Sequence, residues 1–277
     1  MPELPEVETV RRALDPLLRG RSIERAEILD GRLTAPEDPG AVAAALLGDR
    51  FSEVGRRGKY LLFELDSGRT LVCHLRMTGW FHHRPASVPV IAPTHVRAAL
   101  LLDDESALVY ADQRRFGTWR LVEPGDLEGY LRPRAGPEPL SDEWTPRRLR
   151  ADLAGRRAPV KALLLHQGIV AGIGNIYADE ALWQARIHPL WPGGGLTTAE
   201  VRRLHAAVVE TLQRGIAAQG ATIRNYRGPD GAAGSMQERF AAYDRDGEPC
   251  LRCGTPIEKI RVAQRGTHLC PRCTRRR

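Results

Sequence analysis

From residue 5 to residue 19 the apolar side chains Val7, Val10, Leu14, Leu17 and Leu18 recur three and four positions apart, which places them on one helical stripe. Pro5 suits a first helical position and Gly20 a stop, so the spacing predicts a helix over Pro5–Arg19. The period then shortens. Ser22–Leu29, Tyr60–Leu65, Thr70–Leu75, Val96–Leu102 and Ala107–Tyr110 mix alternation with continuous apolar runs between Gly, Asp and Pro, and predict strands of a sandwich or barrel. A short helix near Val42–Leu47 interrupts them. From 127 the composition turns to Pro, Gly and Arg, as in a linker, and afterwards the helical period returns over Arg147–Leu153, Val160–His166, Ile176–Gln184 and Ala199–Gln219. Gly168, Gly172 and Gly174 separate the second of these from the third, which predicts a tight turn between helices. The chain therefore reads as α+β with two domains. An N-terminal β-sandwich with its helix is expected over 1–126, a linker over 127–145, a helical domain over 146–221, a Gly-rich region over 222–246 and a cysteine-bearing end over 247–277.

Length agrees with this division, since 277 residues suffice for about two domains. No apolar run approaches the ~18 residues a membrane-spanning helix needs. Met1–Glu6 is acidic and lacks both a basic n-region and an apolar h-region, so no secretory signal and a cytosolic address are expected. Charge adds a partner: 41 Lys plus Arg against 34 Asp plus Glu give a net +7, and residues 222–277 hold 12 Lys plus Arg against 6 Asp plus Glu. Such a balance favours a polyanion. Only Lys59, Lys161 and Lys259 among the 41 cations are lysine. Because an ammonium sheds its proton on burial and a guanidinium does not, Lys59 and Lys161 are candidates for proton transfer.

Four of the five cysteines form two CxxC pairs, Cys250–Cys253 and Cys270–Cys273, at the spacing of a four-thiolate zinc site. Four thiolates leave no open position for water, so one structural zinc ion is expected. Between the pairs, Thr255–Val262 and Thr267–Leu269 read as two strands joined by a turn near Arg265-Gly266, a zinc-stapled hairpin with Arg265 close to its tip. Arg252, Arg261, Arg265, Arg272 and the tail Arg275-Arg276-Arg277 surround it, and guanidinium forks match phosphate geometry. Cys73, alone in an apolar run, reads as a small buried hydrophobe.

The amino terminus carries chemistry of its own. Cytosolic removal of Met1 before a small residue exposes Pro2 as a secondary amine, and an α-amino group titrates near ~8, so a useful fraction is neutral at physiological pH. Its addition to an aldehyde-like sugar carbon gives an iminium, an electron sink. Glu3 is placed to protonate a departing ring oxygen, and Lys59 offers a second amine for proton transfer.

Met1-Pro2-Glu3-Leu4-Pro5-Glu6-Val7-Glu8-Thr9 closely resembles the opening of bacterial formamidopyrimidine-DNA glycosylases. The resemblance continues through Arg56–Leu62, His74–Gly79, Asp112–Gly117, Gly172–Tyr177 and the CxxC pairs with Ala263-Gln264-Arg265 between them. It implies a bifunctional DNA glycosylase and abasic-site lyase acting on oxidised purines in double-stranded DNA. The implied fold is a β-sandwich, a helix-two-turn-helix segment and a zinc-finger β-hairpin, as a monomer in the bacterial cytosol and nucleoid. By similarity Pro2 is the Schiff-base nucleophile, Glu3 the acid that opens the sugar ring, Lys59 the proton-transfer residue of β-elimination and Arg265 the residue of δ-elimination. Met77, Arg114 and Phe116 match the side chains that enter the duplex beside an everted base. Asn175 and Arg265 resemble phosphate anchors, Arg156 a DNA-contacting position that is more often lysine, and 222–246 the lesion-recognition loop region.

Three positions depart from the pattern. Pro93 stands where a DNA-contacting histidine is usual, Gln113 where proline is common, and Met236 where the lesion loop more often has an aromatic residue. Two other readings stay open on sequence. One is an endonuclease VIII-like enzyme for oxidised pyrimidines, against which Leu4 stands, since that branch usually has glycine there. The other is a non-catalytic zinc-finger lesion-binding protein, against which intact Pro2, Glu3 and Lys59 stand.

Overall fold

The computed structural model describes every residue except 87–93, 224–226, 230 and 276–277. The chain divides into two compact units, Met1–Arg132 with Gln219–Ser235, and Pro133–Ala218 with Met236–Arg277. Pro93, Arg276, Arg277 and part of the Gly-rich loop lie outside the described residues.

The first unit begins with α1 (Leu4–Leu18), whose buried stripe Leu4, Val7, Val10, Leu14 and Leu18 follows the helical spacing. Eight antiparallel strands follow: β1 (Ile23–Ile28), β2 (Phe51–Arg57), β3 (Tyr60–Leu65), β4 (Thr70–His74), β5 (Gly79–Arg84), β6 (Val96–Leu102), β7 (Ala107–Asp112) and β8 (Thr118–Val122). They form two four-stranded sheets, ordered β1-β6-β7-β5 and β2-β3-β4-β8. A short helix α2 (Pro39–Leu46), capped by Asp38, lies between β1 and β2. Aromatic residues of both sheets share one core: Phe63 of β3 meets Phe81 of β5 edge-on at 5.2 Å between centroids, and Phe81 stacks with Trp119 of β8 at 6.0 Å. Cys73 is fully buried in that core.

Within the expected 127–145 linker, α3 (Leu127–Leu131) is helical and caps the other face of the second sheet, where Leu131 packs with Leu62, Val72 and Val122. Residues 219–235 belong to this unit. His83 N donates to Pro229 O at 3.3 Å, and Ala221 N donates to Glu6 Oε1 at 2.8 Å.

The second unit carries α4 (Pro146–Leu153), α5 (Val160–Leu165), α6 (Asn175–Ala185) and α7 (Thr198–Ala217). Thr197 and Glu200 form a reciprocal capping box at the start of α7. Trp144, fully buried, stacks on His205 of α7 at 4.5 Å. After a 3-10 turn at Met236–Arg239, the finger hairpin is β9 (Glu258–Val262) paired with β10 (Arg265–Leu269). Its register corrects one expectation. Val262 pairs with Arg265, so the turn is Ala263-Gln264, both left-handed at φ 47° and 62°, and Arg265 is the first residue of β10. The turn expected near Arg265-Gly266 thus falls two residues earlier, on two non-glycine residues in the left-handed conformation.

Candidate functional site

In the first unit the chain start is held by α1 itself. Glu3 is the N-cap residue, and its backbone N–H donates to Glu6 Oε2 at 2.8 Å, while the other oxygen of Glu6 accepts from Ala221. One buried carboxylate thus fixes both the Pro2-Glu3 backbone and the base of the 219–235 segment. Pro2 and Glu3 are buried, whereas Met1 is 45% exposed. Lys59 occupies the two-residue turn between β2 and β3, opened by Gly58 at φ +56°.

The register of α1 on β2 brings that turn toward Pro2. Asp15 Oδ1 accepts from Val54 N at 2.8 Å, and seven residues back along the helix Glu8 Oε2 accepts from Arg56 Nε at 3.1 Å. Helix and strand therefore run in opposite directions, and the end of β2 lies beside the start of α1. Arg56 also donates to Gly58 O at 3.0 Å, bracing the turn. Burial raises the Glu8 carboxyl, but the guanidiniums of Arg11, Arg12 and Arg56 outweigh it and hold Glu8 below the ordinary carboxylate range.

His74 joins this group through register, since it pairs with Tyr60, the neighbour of Lys59. Burial, with the charges of Arg76 and Lys59, pushes the imidazole down to about 3. The ring is neutral at physiological pH, its Nδ1 accepts from Arg76 N at 3.0 Å, and its proton is therefore on Nε2.

Met77, Arg114 and Phe116 sit on two loops that Asp112 ties together. Its carboxylate accepts from Thr78 Oγ1, from Arg114 N at 3.1 Å, from Phe116 N at 2.9 Å and from Gly117 N at 2.7 Å. A buried anion thus fixes two loops whose tips stay in water: Met77 is 40% and Phe116 52% exposed, and the Arg114 guanidinium lies 4.8 Å from the Phe116 ring centroid. Exposed apolar side chains on a rigid base suit insertion into a base stack. Arg115 points elsewhere, onto Asp30 at 2.6 and 2.8 Å, and its guanidinium pulls that carboxyl down to about 2.

In the second unit Asn175 opens α6, and its Nδ2 donates to Gly266 O at 2.9 Å, beside the exposed Arg265. Gln167 shapes the turn before α6 by accepting from Gly172 N and donating to Ile173 O, both at 2.9 Å. Arg156 lies apart, exposed after α4, with Nε on Asp152 O at 2.6 Å.

Lys161 has a different role from the proton transfer expected of it. It is fully buried, 2.6 Å from Asp179 Oδ1, and donates to Thr267 Oγ1 at 2.7 Å and Gly266 O at 3.0 Å. These bonds join α5, α6 and β10 and leave the amine no exposed face.

Cys250, Cys253, Cys270 and Cys273 bring their sulfurs within 4.8 Å of one another, with Cys253 Sγ 3.5 Å from both Cys270 Sγ and Cys273 Sγ. Zn–S bonds of ~2.3 Å place tetrahedral sulfurs ~3.8 Å apart, so the four thiolates fit one zinc ion. Trp183 Nε1 donates to Cys250 Sγ at 3.3 Å, and Arg252, expected on the phosphate-facing surface, stacks over Trp183 at 4.0 Å. That guanidinium packs the finger on α6. Arg261, Arg265, Arg272 and Arg275 remain exposed.

Three family models match: the formamidopyrimidine-DNA glycosylase N-terminal domain over residues 1–119, its H2TH domain over 135–227, and a zinc finger found in FPG and IleRS over 247–276. The chain belongs to the formamidopyrimidine-DNA glycosylase family. A family relative from Symbiobacterium thermophilum, named formamidopyrimidine-DNA glycosylase, is 52% identical over 99% of this chain and 89% of its own length. The Lactococcus lactis FPG, solved with Fapy-dG-containing DNA, is 37% identical with a TM-score of 0.91, covering 99% of this chain and 100% of that one. The same protein solved with abasic-site DNA is 38% identical, with the same TM-score and coverage. The family's mixed fold and single finger zinc are those of this chain.

Sequence reasoning passed over Glu6, His74, Asp112, Gln167 and Asp179. Each acts on backbone groups or through strand register. Only Glu6 had a readable signal, an acid three residues after the N-cap.

Proposed function

We propose that this chain is a bifunctional DNA glycosylase and abasic-site lyase that removes oxidised purines, 8-oxoguanine and formamidopyrimidines, from duplex DNA in base excision repair. It works as a monomer in the cytosol at the nucleoid, with 222–246 as its lesion-recognition region. The observation that carries the reading is the N-terminal cluster: Pro2 and Glu3 fixed by the Glu6 carboxylate, with the Lys59 turn drawn to the same end of α1.

With Met1 removed, the Pro2 nitrogen lone pair attacks C1′ of the damaged nucleotide. The glycosidic bonding pair leaves with the base, which takes up a proton. Glu3 protonates the ring oxygen as the C1′–O bond breaks, leaving an open sugar joined to Pro2 through an iminium. The iminium acidifies the C2′ proton. Lys59 serves proton transfer as that proton leaves and the 3′ phosphate departs, and Arg265 assists loss of the 5′ phosphate in the δ step. Base removal requires the nucleotide to leave the stack, at a few kcal/mol. Met77 and Phe116 fill the gap, while Arg114 faces the orphaned base. Arg156, Asn175 and Arg265 hold phosphates.

Borohydride added during turnover on 8-oxoguanine duplex should reduce the iminium to a stable amine, and mass spectrometry should place the DNA adduct on Pro2. Cleavage without a trapped species, or an adduct on Lys59, overturns the assignment.

A further inference from the structure

His268 lies on β10 opposite Lys259, in a ring environment only 5% exposed. Its Nδ1 is 3.3 Å from Asp179 Oδ2, which also accepts from His268 N at 2.9 Å. A carboxylate only accepts, so Nδ1 carries a proton. The opposite nitrogen, Nε2, is buried and makes no hydrogen bond. It faces Asp246 Oδ1 at 3.4 Å, and Asp244 completes a group whose ligand atoms all lie within 4.8 Å.

From this we infer that His268, Asp244 and Asp246 form a second metal site, for a divalent transition-metal ion, distinct from the four-cysteine zinc. An imidazole held through Nδ1 on a buried carboxylate, with a buried Nε2 that makes no hydrogen bond and is turned toward two further carboxylates, is the arrangement of a metal-binding histidine with its supporting acid. The spacing agrees. Metal–N and metal–O bonds of ~2.1 Å set neighbouring tetrahedral ligands ~3.4 Å apart, the distance between Nε2 and Asp246 Oδ1. Two carboxylates balance a dication, and one nitrogen with two oxygens suits Mn²⁺ or Zn²⁺ rather than a soft ion. Lys259 Nζ, 3.4 Å from Asp246 Oδ1 and half exposed, is the cation such an ion would displace. Asp246 also bridges to Ile257 at the start of the hairpin, so the ion ties the loop before the finger to β10.

Manganese separates this site from the finger, because it prefers oxygen and nitrogen and does not displace zinc from thiolates. The zinc-loaded enzyme is titrated with Mn²⁺ while the free-ion EPR signal is followed. One Mn²⁺ per chain is expected, with affinity falling tenfold or more in Asp244→Asn and in Asp246→Asn. Mn²⁺ should also raise the melting temperature of the unaltered enzyme but not of Asp246→Asn. Both aspartates are exposed, and unchanged finger zinc content verifies that the variants fold. Lys259→Met, which removes the competing charge, should bind Mn²⁺ more tightly. No uptake, or uptake equal in the unaltered enzyme and the Asp244→Asn/Asp246→Asn double variant, overturns the site and leaves His268 as a hydrogen-bonded core histidine.

Discussion

His74 shows how one side chain couples the candidate active site to stability. Its folded pKa near 3 lies far below the ordinary 6.5 because burial, aided by Arg76 and Lys59, penalises the imidazolium. The unfolded chain therefore binds a proton that the folded chain refuses between those two values. Stability is full above pH 6.5 and falls as the pH drops toward 3, with a slope of up to about 1.4 kcal/mol per pH unit from this group. A His74→Gln variant should flatten that part of the stability curve, measured by denaturant unfolding at a series of pH values. An unchanged slope would mean that another group titrates.

At the scale of elements, the seating of the finger rests on Lys161. Zinc holds the finger's ends together, while the Lys161–Asp179 pair fastens β10 to α5 and α6 through Gly266 and Thr267. Removing one member of a buried pair leaves an uncompensated charge and costs about 3–5 kcal/mol. Lys161→Met should therefore destabilise the protein by that amount and lose strand cleavage, while zinc analysis still finds one ion per finger. Adding Asp179→Asn, which removes the unpaired charge but keeps an oxygen to accept from His268 N, should restore part of the stability, and failure to do so would mean that the uncompensated charge is not the source of the loss. Much of this level was legible in sequence. α1, β3, β4, β6, β7 and the finger strands follow strong apolar periodicity, and the CxxC spacing announces the metal. The unread strands β2, β5 and β8 each lie at a sheet edge, where half-buried sequences such as Phe51-Ser52-Glu53-Val54-Gly55-Arg56-Arg57 dilute the pattern. Lys161 was misread because rarity of lysine marks a required amine without telling whether the amine meets substrate or a buried carboxylate.

For the whole molecule, the net charge of +7 makes duplex affinity a matter of counterion release. Each phosphate neutralised by a cation contributes a slope of about −0.9 to log affinity against log salt. The proposed contacts differ in this respect. Arg265 is an exposed cation at the start of β10, Asn175 is a neutral amide that positions the same strand through Gly266, and Phe116 is an exposed apolar tip. Arg265→Ala should thus reduce the magnitude of the salt slope by about 0.9, whereas Asn175→Ala should weaken binding with the slope unchanged. Phe116→Ala should leave the slope and the undamaged-duplex affinity alone and reduce the preference for a duplex carrying an abasic site, because its contribution arises only where a base has left the stack. Binding isotherms for intact and abasic duplexes at four salt concentrations measure all three effects. Equal slopes for Arg265→Ala and Asn175→Ala would remove Arg265 from the phosphate contacts and confine it to the elimination chemistry.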